Sequence, residues 1–292
     1  RVVNTTDQIV TLDKGLVLGE VELVDPIEDV GPKPPDEPVD SPRYDHVKCL
    51  LDDIDPDVSS EIRQDLSTLL QEYGDVFSQG EHDLGKTSFV KHQIDTAGSR
   101  PFRQAPRRHP AAYVEAIDKQ TDDMLAHDLI EPSCSEWGSN VVMVRKSDGT
   151  LRFCIDYRQL NQRTIKDCYP LPRMDVSLEA LSGAKWFSTF DLRSGYHQVE
   201  MEPQDSDKTT FITRKGTYRF KVMPFGLCNA PATFQRLMNV VLAGLNLDIL
   251  LVYLDDIIVH SINLNTHLRN LKLLFDRLRQ AGLKLKVSKC RL

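Results

Sequence analysis

The chain has 292 residues, 40% hydrophobic and 27% charged, with a formal net charge of −7. That is enough for one large domain or two small ones, with a sizeable core. No apolar run reaches the roughly 18 to 20 residues that a bilayer-spanning helix needs, which excludes such a span.

In chain order, the sequence opens on Arg1 with no signal peptide behind it. The missing Met and the end at Leu292 predict an excerpt from a longer chain. Residues 1–25 hold short β-prone stretches, at 8–12 and 16–24. Residues 26–58 are acidic and include the run Gly-Pro-Lys-Pro-Pro-Asp-Glu-Pro at 31–38, whose proline density predicts an extended linker. In 59–85, Ile62, Leu66, Leu69, Leu70 and Tyr73 follow helical spacing, and a loop comes after them. Residues 86–292 form the main body. A helix is predicted over 110–128, with Val114, Ile117, Met124 and Leu125 inward and a proline where it is well tolerated. Runs at 141–146 and 151–157 flank Ser147-Asp-Gly-Thr150, a hairpin signal. A helix follows Asn229-Ala230-Pro231, with Asn229 as its cap and Leu237, Met238, Val241 and Leu242 buried. The last helix carries Leu264, Leu268, Leu271, Phe275 and Leu278 and stops at Gly282. A strand over 283–287 follows. Strands and helices mix without regular β-α alternation, which points to α+β.

Charge is unevenly spread. Residues 1–85 carry 6 basic and 21 acidic side chains, and residues 86–292 carry 30 and 22. A mildly basic frame around clustered acids suits a metal-using enzyme of nucleic acids, although a solvated surface of ordinary variation would read the same way. The cysteines Cys49, Cys134, Cys154, Cys168, Cys228 and Cys290 form no C-x-x-C pair, and no His cluster accompanies them. That argues against structural zinc and for ordinary buried thiols in a reducing compartment.

Residues 248–260 read Asp-Ile-Leu-Leu-Val-Tyr-Leu-Asp-Asp-Ile-Ile-Val-His. Asp255 and Asp256 stand between two β-prone runs, which predicts a hairpin with both acids at its tip. Ionised carboxylates in an apolar setting call for a neutralising cation. Asp191 ends a further apolar strand, 185–190. Three carboxylates from two strand ends suit a pair of magnesium ions.

Gly80-Glu-His-Asp-Leu-Gly85-Lys86-Thr87 matches the phosphate-loop pattern G-x-x-x-x-G-K-[ST]. A phosphate loop follows a buried strand and opens a helix. Here no β run precedes it, 88–95 reads as a strand, and Glu81 and Asp83 would repel phosphate. The match is expected to be a coincidence in a loop, and a P-loop ATPase stays only as a rival.

Four segments occur in order: 151–161 (LRFCIDYRQLN), 187–198 (FSTFDLRSGYHQ), 223–235 (MPFGLCNAPATFQ) and 253–256 (YLDD). Together they closely resemble the reverse transcriptases of gypsy-type LTR retrotransposon Pol polyproteins, over about residues 75–292. Residues 1–25 more weakly resemble the stretch between protease and polymerase.

The resemblance implies a right-hand polymerase with fingers and palm, an antiparallel palm sheet packed with helices, and a chain that stops before the thumb. It implies an RNA-directed DNA polymerase in which Asp191, Asp255 and Asp256 hold two magnesium ions. Lys146 and Arg152 would contact the triphosphate, Tyr196 would act as a steric gate against ribose, and Phe225 and Gln235 would shape the nucleotide pocket. Lys289 would lie near the leaving phosphate, and Arg158 and Asn161 would hold template. The implied partners are a primed RNA or DNA template, deoxynucleoside triphosphates and the protease, ribonuclease H and integrase of the polyprotein. The implied setting is intracellular and particle-associated, in the cytoplasm or nucleus. A decayed remnant that only binds nucleic acid is the non-enzymatic alternative; the intact acids disfavour it.

Overall fold

The computed structural model describes residues 44–52, 54, 58–145, 149, 151–170, 172 and 179–292, all within the unit Arg43–Leu292. The β-prone stretch at 1–25 and most of the expected linker at 26–58 lie outside the described residues. Within that linker segment, Asp45–Leu51 forms a 3-10 helix. Val47 and Leu50, three residues apart, share its buried face, and His46 Nε2 lies 3.2 Å from the Phe77 carbonyl.

Helix α1 (Ser60–Glu72) buries Leu66, Leu69 and Leu70, one stripe at helical spacing. It docks beside the last helix, α5 (Leu264–Gln280). Tyr73, which follows α1, donates from Oη to Asp276 Oδ1 at 2.6 Å and sets its ring 5.6 Å from Phe275. The sequence predicts α1 without a partner because that partner lies some 200 residues away. Strand β1 (Thr87–His92) then runs where a phosphate loop would require a helix.

Helix α2 (Ala111–Ala126) starts behind Pro110 and buries Ile117, Thr121 and Met124; Val114 and Leu125, expected inward, are only half-buried. Asp118 is buried on the same helix and is held by the Arg214 guanidinium. Short strand β2 (Ile130–Pro132) leads to β3 (Ser139–Arg145) and β4 (Leu151–Ile155), the predicted hairpin, paired antiparallel from Val141↔Ile155 to Arg145↔Leu151. With β7 (Phe211–Thr213) and β8 (Gly216–Phe220) these form a sheet of order β2-β8-β7-β3-β4, in which β3 and β7 are parallel. A short helix, α3 (Arg158–Arg163), follows β4. Strand β6 (Val199–Met201) pairs in parallel with β1.

The sheet that matters for chemistry has the order β5-β10-β9. Its strands are β5 (Trp186–Asp191), β9 (Leu250–Tyr253) and β10 (Asp256–Ser261). All neighbours are antiparallel. Phe190, Leu250, Val252, Ile257 and Val259 are buried, and Phe275 of α5 meets Phe190 edge-on at 5.5 Å. Helix α4 (Ala230–Val241) buries Phe234, Leu237, Met238 and Val241. The class is α+β, as the irregular alternation predicts.

Three local expectations are corrected. Asn229 precedes α4 but makes no capping bond. Its amide instead donates to the Ile165 carbonyl at 2.7 Å and accepts from Asp167 N–H at 3.1 Å, so it clips a neighbouring loop. Residues 283–287 form no regular strand. Leu285 bridges Phe77 and Leu192, a 3-10 turn (Val287–Lys289) interrupts the run, and Arg291 rejoins β5 at Thr189. Of the free cysteines only Cys290 is buried; Cys49, Cys134 and Cys168 are exposed.

Candidate active site

The turn between β9 and β10 has two residues, Leu254 and Asp255, because Tyr253 pairs with Asp256. Leu254 sits at φ 57°, a left-handed conformation that costs energy for a side chain other than glycine. Something must hold it there, and fully buried Gln235 of α4 does so. Its Oε1 accepts from Leu254 N–H at 3.0 Å, and its Nε2 donates to Asn239 Oδ1 at 3.1 Å. Asn239 in turn donates to Tyr169 Oη at 2.7 Å. Gln235 was expected to shape a nucleotide pocket; it lies beneath the turn and fixes the conformation that presents Asp255.

Antiparallel register sets Asp256 directly opposite Asp191. Leu192 N–H reaches the Asp255 carbonyl at 3.4 Å, so all three acids occupy one end of the sheet. Burial raises the Asp256 carboxyl, the charges of Asp255 and Asp191 raise it further, and Lys289 opposes them. Burial and like charges at close range both disfavour the ionised form. Lys289 Nζ donates to Asp191 Oδ2 at 2.7 Å. That contact holds the Lys289 ammonium above its usual range.

The broken strand explains how Lys289 gets there. Lys286 N–H bonds the Asp191 carbonyl at 2.8 Å, and Arg291 exchanges two 2.9 Å bonds with Thr189. The 3-10 turn between these anchors carries Lys289 over Asp191. Gln198 pins the same segment, donating to the Arg193 and Lys284 carbonyls at 2.7 and 2.9 Å and accepting from Lys284 N–H at 2.8 Å. Gln198 stands in the segment 187–198, but only its complete burial marks it as a positioning residue.

Tyr196 lies on a 3-10 turn (Gly195–Gln198) just beyond β5. Its ring is half-buried between Phe225 at 5.2 Å and Phe234 at 5.4 Å. Burial raises its phenol, and the Asp255 charge raises it further, so ring and carboxylate share one neighbourhood. Phe225 itself is exposed.

The remaining predicted residues lie farther out. Arg152 is exposed on β4 opposite Val144. Lys146 lies outside the described residues. Arg158 grips buried Asp156 through Nε and Nη2, each at 2.7 Å, and Arg107 adds a third contact at 3.1 Å. Asn161 donates to the Gly226 carbonyl at 2.8 Å and accepts from Cys228 N–H at 2.9 Å, clipping the loop that carries Phe225.

The phosphate-loop match has a structural explanation. A Cβ on Gly85 would lie 2.2 Å from the Gly282 carbonyl oxygen and 2.4 Å from Gln198 Oε1. The glycine is there for close packing, and Lys86 pairs with Glu200 at 2.6 Å.

With three acids at one sheet end, the donor set is all oxygen and suits a hard divalent cation. Comparisons with known proteins place the chain in a family. The family model "Reverse transcriptase (RNA-dependent DNA polymerase)" matches residues 144–292. The chain is 42% identical over 221 residues to the "Retrovirus-related Pol polyprotein from transposon 297" of Drosophila melanogaster, covering 73% of this chain and 21% of that protein. It is 49% identical over 126 residues to an "RNA-directed DNA polymerase homolog" of Oenothera berteroana, covering 42% of this chain and 89% of that protein. The fold matches the foamy viral protease-reverse transcriptase solved with an RNA/DNA hybrid. The TM-score is 0.76 and the identity 24%, over 86% of this chain and 34% of that one. This chain thus spans about a fifth of the Drosophila polyproteins that it matches. The likeness supports the fingers-and-palm reading of the two larger sheets, and the chain belongs to the reverse transcriptase (RNA-dependent DNA polymerase) family.

Proposed function

We propose that the chain carries the polymerising centre of an RNA-directed DNA polymerase, copying retroelement RNA into DNA. The observation that carries this reading is the register that sets Asp256 opposite Asp191 beside a braced Asp255. The relative solved with an RNA/DNA hybrid supports such a duplex as the substrate here.

In the reaction, the primer 3′-oxygen bonds to the α-phosphorus of a deoxynucleoside triphosphate. The bond to the β-phosphate oxygen breaks, pyrophosphate leaves, and the hydroxyl proton passes to solvent. Two magnesium ions, when bound, ease deprotonation of that hydroxyl and neutralise the triphosphate and leaving group. The chain's own part is placement. Asp191, Asp255 and Asp256 supply the negative charge that gathers the ions. Gln235 fixes the turn on which Asp255 rides. Lys289, which pairs with Asp191, would meet the departing phosphate. Arg152 offers a fork of donors suited to a triphosphate. Tyr196 presents its ring edge to the incoming sugar, backed by Phe225 and Phe234. Arg158 and Asn161 brace the template side through Asp156 and the 226–228 loop. Protease, ribonuclease H and integrase would be supplied by neighbouring parts of a polyprotein, in an intracellular particle.

Extension of a DNA primer on an RNA template with deoxynucleotides tests this reading. Template-directed DNA is expected. Tight hybrid binding with no nucleotide added would favour the remnant instead.

A further inference from the structure

We infer that His82, Asp123 and His127 form a second metal site, remote in kind from the carboxylate centre and suited to a zinc-class transition ion. Among the described residues this is the one group of three His, Cys, Asp or Glu side chains whose ligand atoms all lie within 4.8 Å of one another. His82 Nε2 is 3.3 Å from Asp123 Oδ1, and His127 Nδ1 is 3.6 Å from the same oxygen. A tetrahedral ion with bonds of about 2.0–2.1 Å sets its ligand atoms ~3.3 Å apart, close to these two separations; the stacked imidazoles would turn out of parallel so that both lone pairs meet the ion. Two imidazoles and one carboxylate suit zinc, copper or nickel better than magnesium, which prefers oxygen alone.

The donors are gathered on anchored segments. Asp123 and His127 are one helical turn apart at the end of α2, where the helix dipole favours positive charge. His127 Nδ1 lies 2.7 Å from the Asp123 carbonyl, which fixes the ring. Binding through Nδ1 would move its proton to Nε2, the other tautomer. The His82 ring stacks on that of His127, centroids 3.5 Å apart and planes 13° apart. The loop carrying His82 is itself anchored, because Asp83 accepts from Gln79 N–H at 2.9 Å and pairs with Lys284.

The surroundings leave room for a cation and its water. His82 and His127 line a cavity of about 340 Å³, which offers space for a fourth ligand. The lysines on that wall are engaged, Lys86 and Lys91 sharing Glu200 at 2.6 and 3.4 Å and Lys221 pairing with Asp128 at 2.6 Å. An ion here would clasp the 78–86 loop to α2. The absence of any Cys-linked His cluster in the sequence hides the site, since His82 is some 40 residues from its partners.

Titration of the whole chain with zinc chloride, followed by calorimetry, tests the inference. Wild type is expected to bind one more equivalent than His82→Ala or His127→Ala, or to bind that equivalent at least tenfold more tightly. Lys86→Ala, on the same cavity wall, is expected to keep it. Cobalt(II) should give the visible bands of a four-coordinate ion without thiolate charge transfer, and His82→Gln should lose them. Equal zinc binding by wild type and both alanine variants would overturn the site. So would a cobalt spectrum dominated by thiolate, which would assign the ion to cysteine.

Discussion

Tyr196 is the residue proposed as a gate against ribose. Its ring is wedged between Phe225 and Phe234 and feels the charge of Asp255. The turn packs tightly here, since even a Cβ on neighbouring Gly195 would come within 2.8 Å of Phe234 Cζ. As the proposed gate, the ring would clash with a ribose 2′-hydroxyl. Tyr196→Ala is expected to raise ribonucleotide incorporation at least tenfold relative to deoxynucleotide, a change of ~1.4 kcal/mol in relative barrier. Matched incorporation assays on wild type and variant check this; an unchanged ratio in a folded, active variant would make Tyr196 ordinary core.

At the scale of elements, the loop from Gly80 to Thr87 is decided by packing. Gly85→Ala would drive a methyl group into the Gly282 carbonyl and the Gln198 amide, both fixed by other bonds. The expected cost is about 1–3 kcal/mol, read as a lower denaturant midpoint at unchanged slope. Lys86→Ala, which removes only a mostly exposed pair with Glu200, should leave both stability and nucleotide addition nearly unchanged. Loss of nucleotide binding in Lys86→Ala would revive the phosphate-loop reading. These contacts also mark what was legible in the sequence. Helices α1, α2, α4 and α5, the 141–155 hairpin and the β9–β10 hairpin could be read, because each rests on local periodicity and turn chemistry. The order of the four motifs carried the family. The interrupted segment at 283–291 could not be read, because its bridges to Phe77, Thr189 and Leu192 are long-range. The same holds for Gln235: a helix position predicts burial, but not that its amide will hold a left-handed leucine in the β9–β10 turn. The roles of Asn229 and Asn161 were hidden likewise, since each amide serves a loop distant in sequence.

For the whole molecule, acid stability follows from three desolvated histidines, His92 and His267 buried and His197 half-buried. Burial lowers His92, His197 and His267 from 6.5 to about 4 each. All three fold as neutral rings; His92 Nδ1 lies 2.8 Å from Thr233 Oγ1, and His267 lies between Ser188 and Ser261. Their folded values lie below the unfolded one, so the stability they contribute is full above 6.5 and is lost as pH falls towards about 4. Each can remove up to ~1.4 kcal/mol per pH unit in that window. Melting temperatures measured across it should fall steadily with acidification, before the paired carboxylates begin to titrate; a flat profile would contradict the neutral assignment. The central claim concerns the charged end of the β5-β10-β9 sheet, and primer extension on an RNA template by Asp191→Asn and Asp255→Asn tests it most directly. Both variants should fold, since each removes one of several crowded negative charges, and both should still bind the hybrid. Misplaced reacting groups can cost about a hundredfold, so both should add nucleotides at least a hundredfold more slowly than wild type. Near-normal extension by either folded variant would contradict the account.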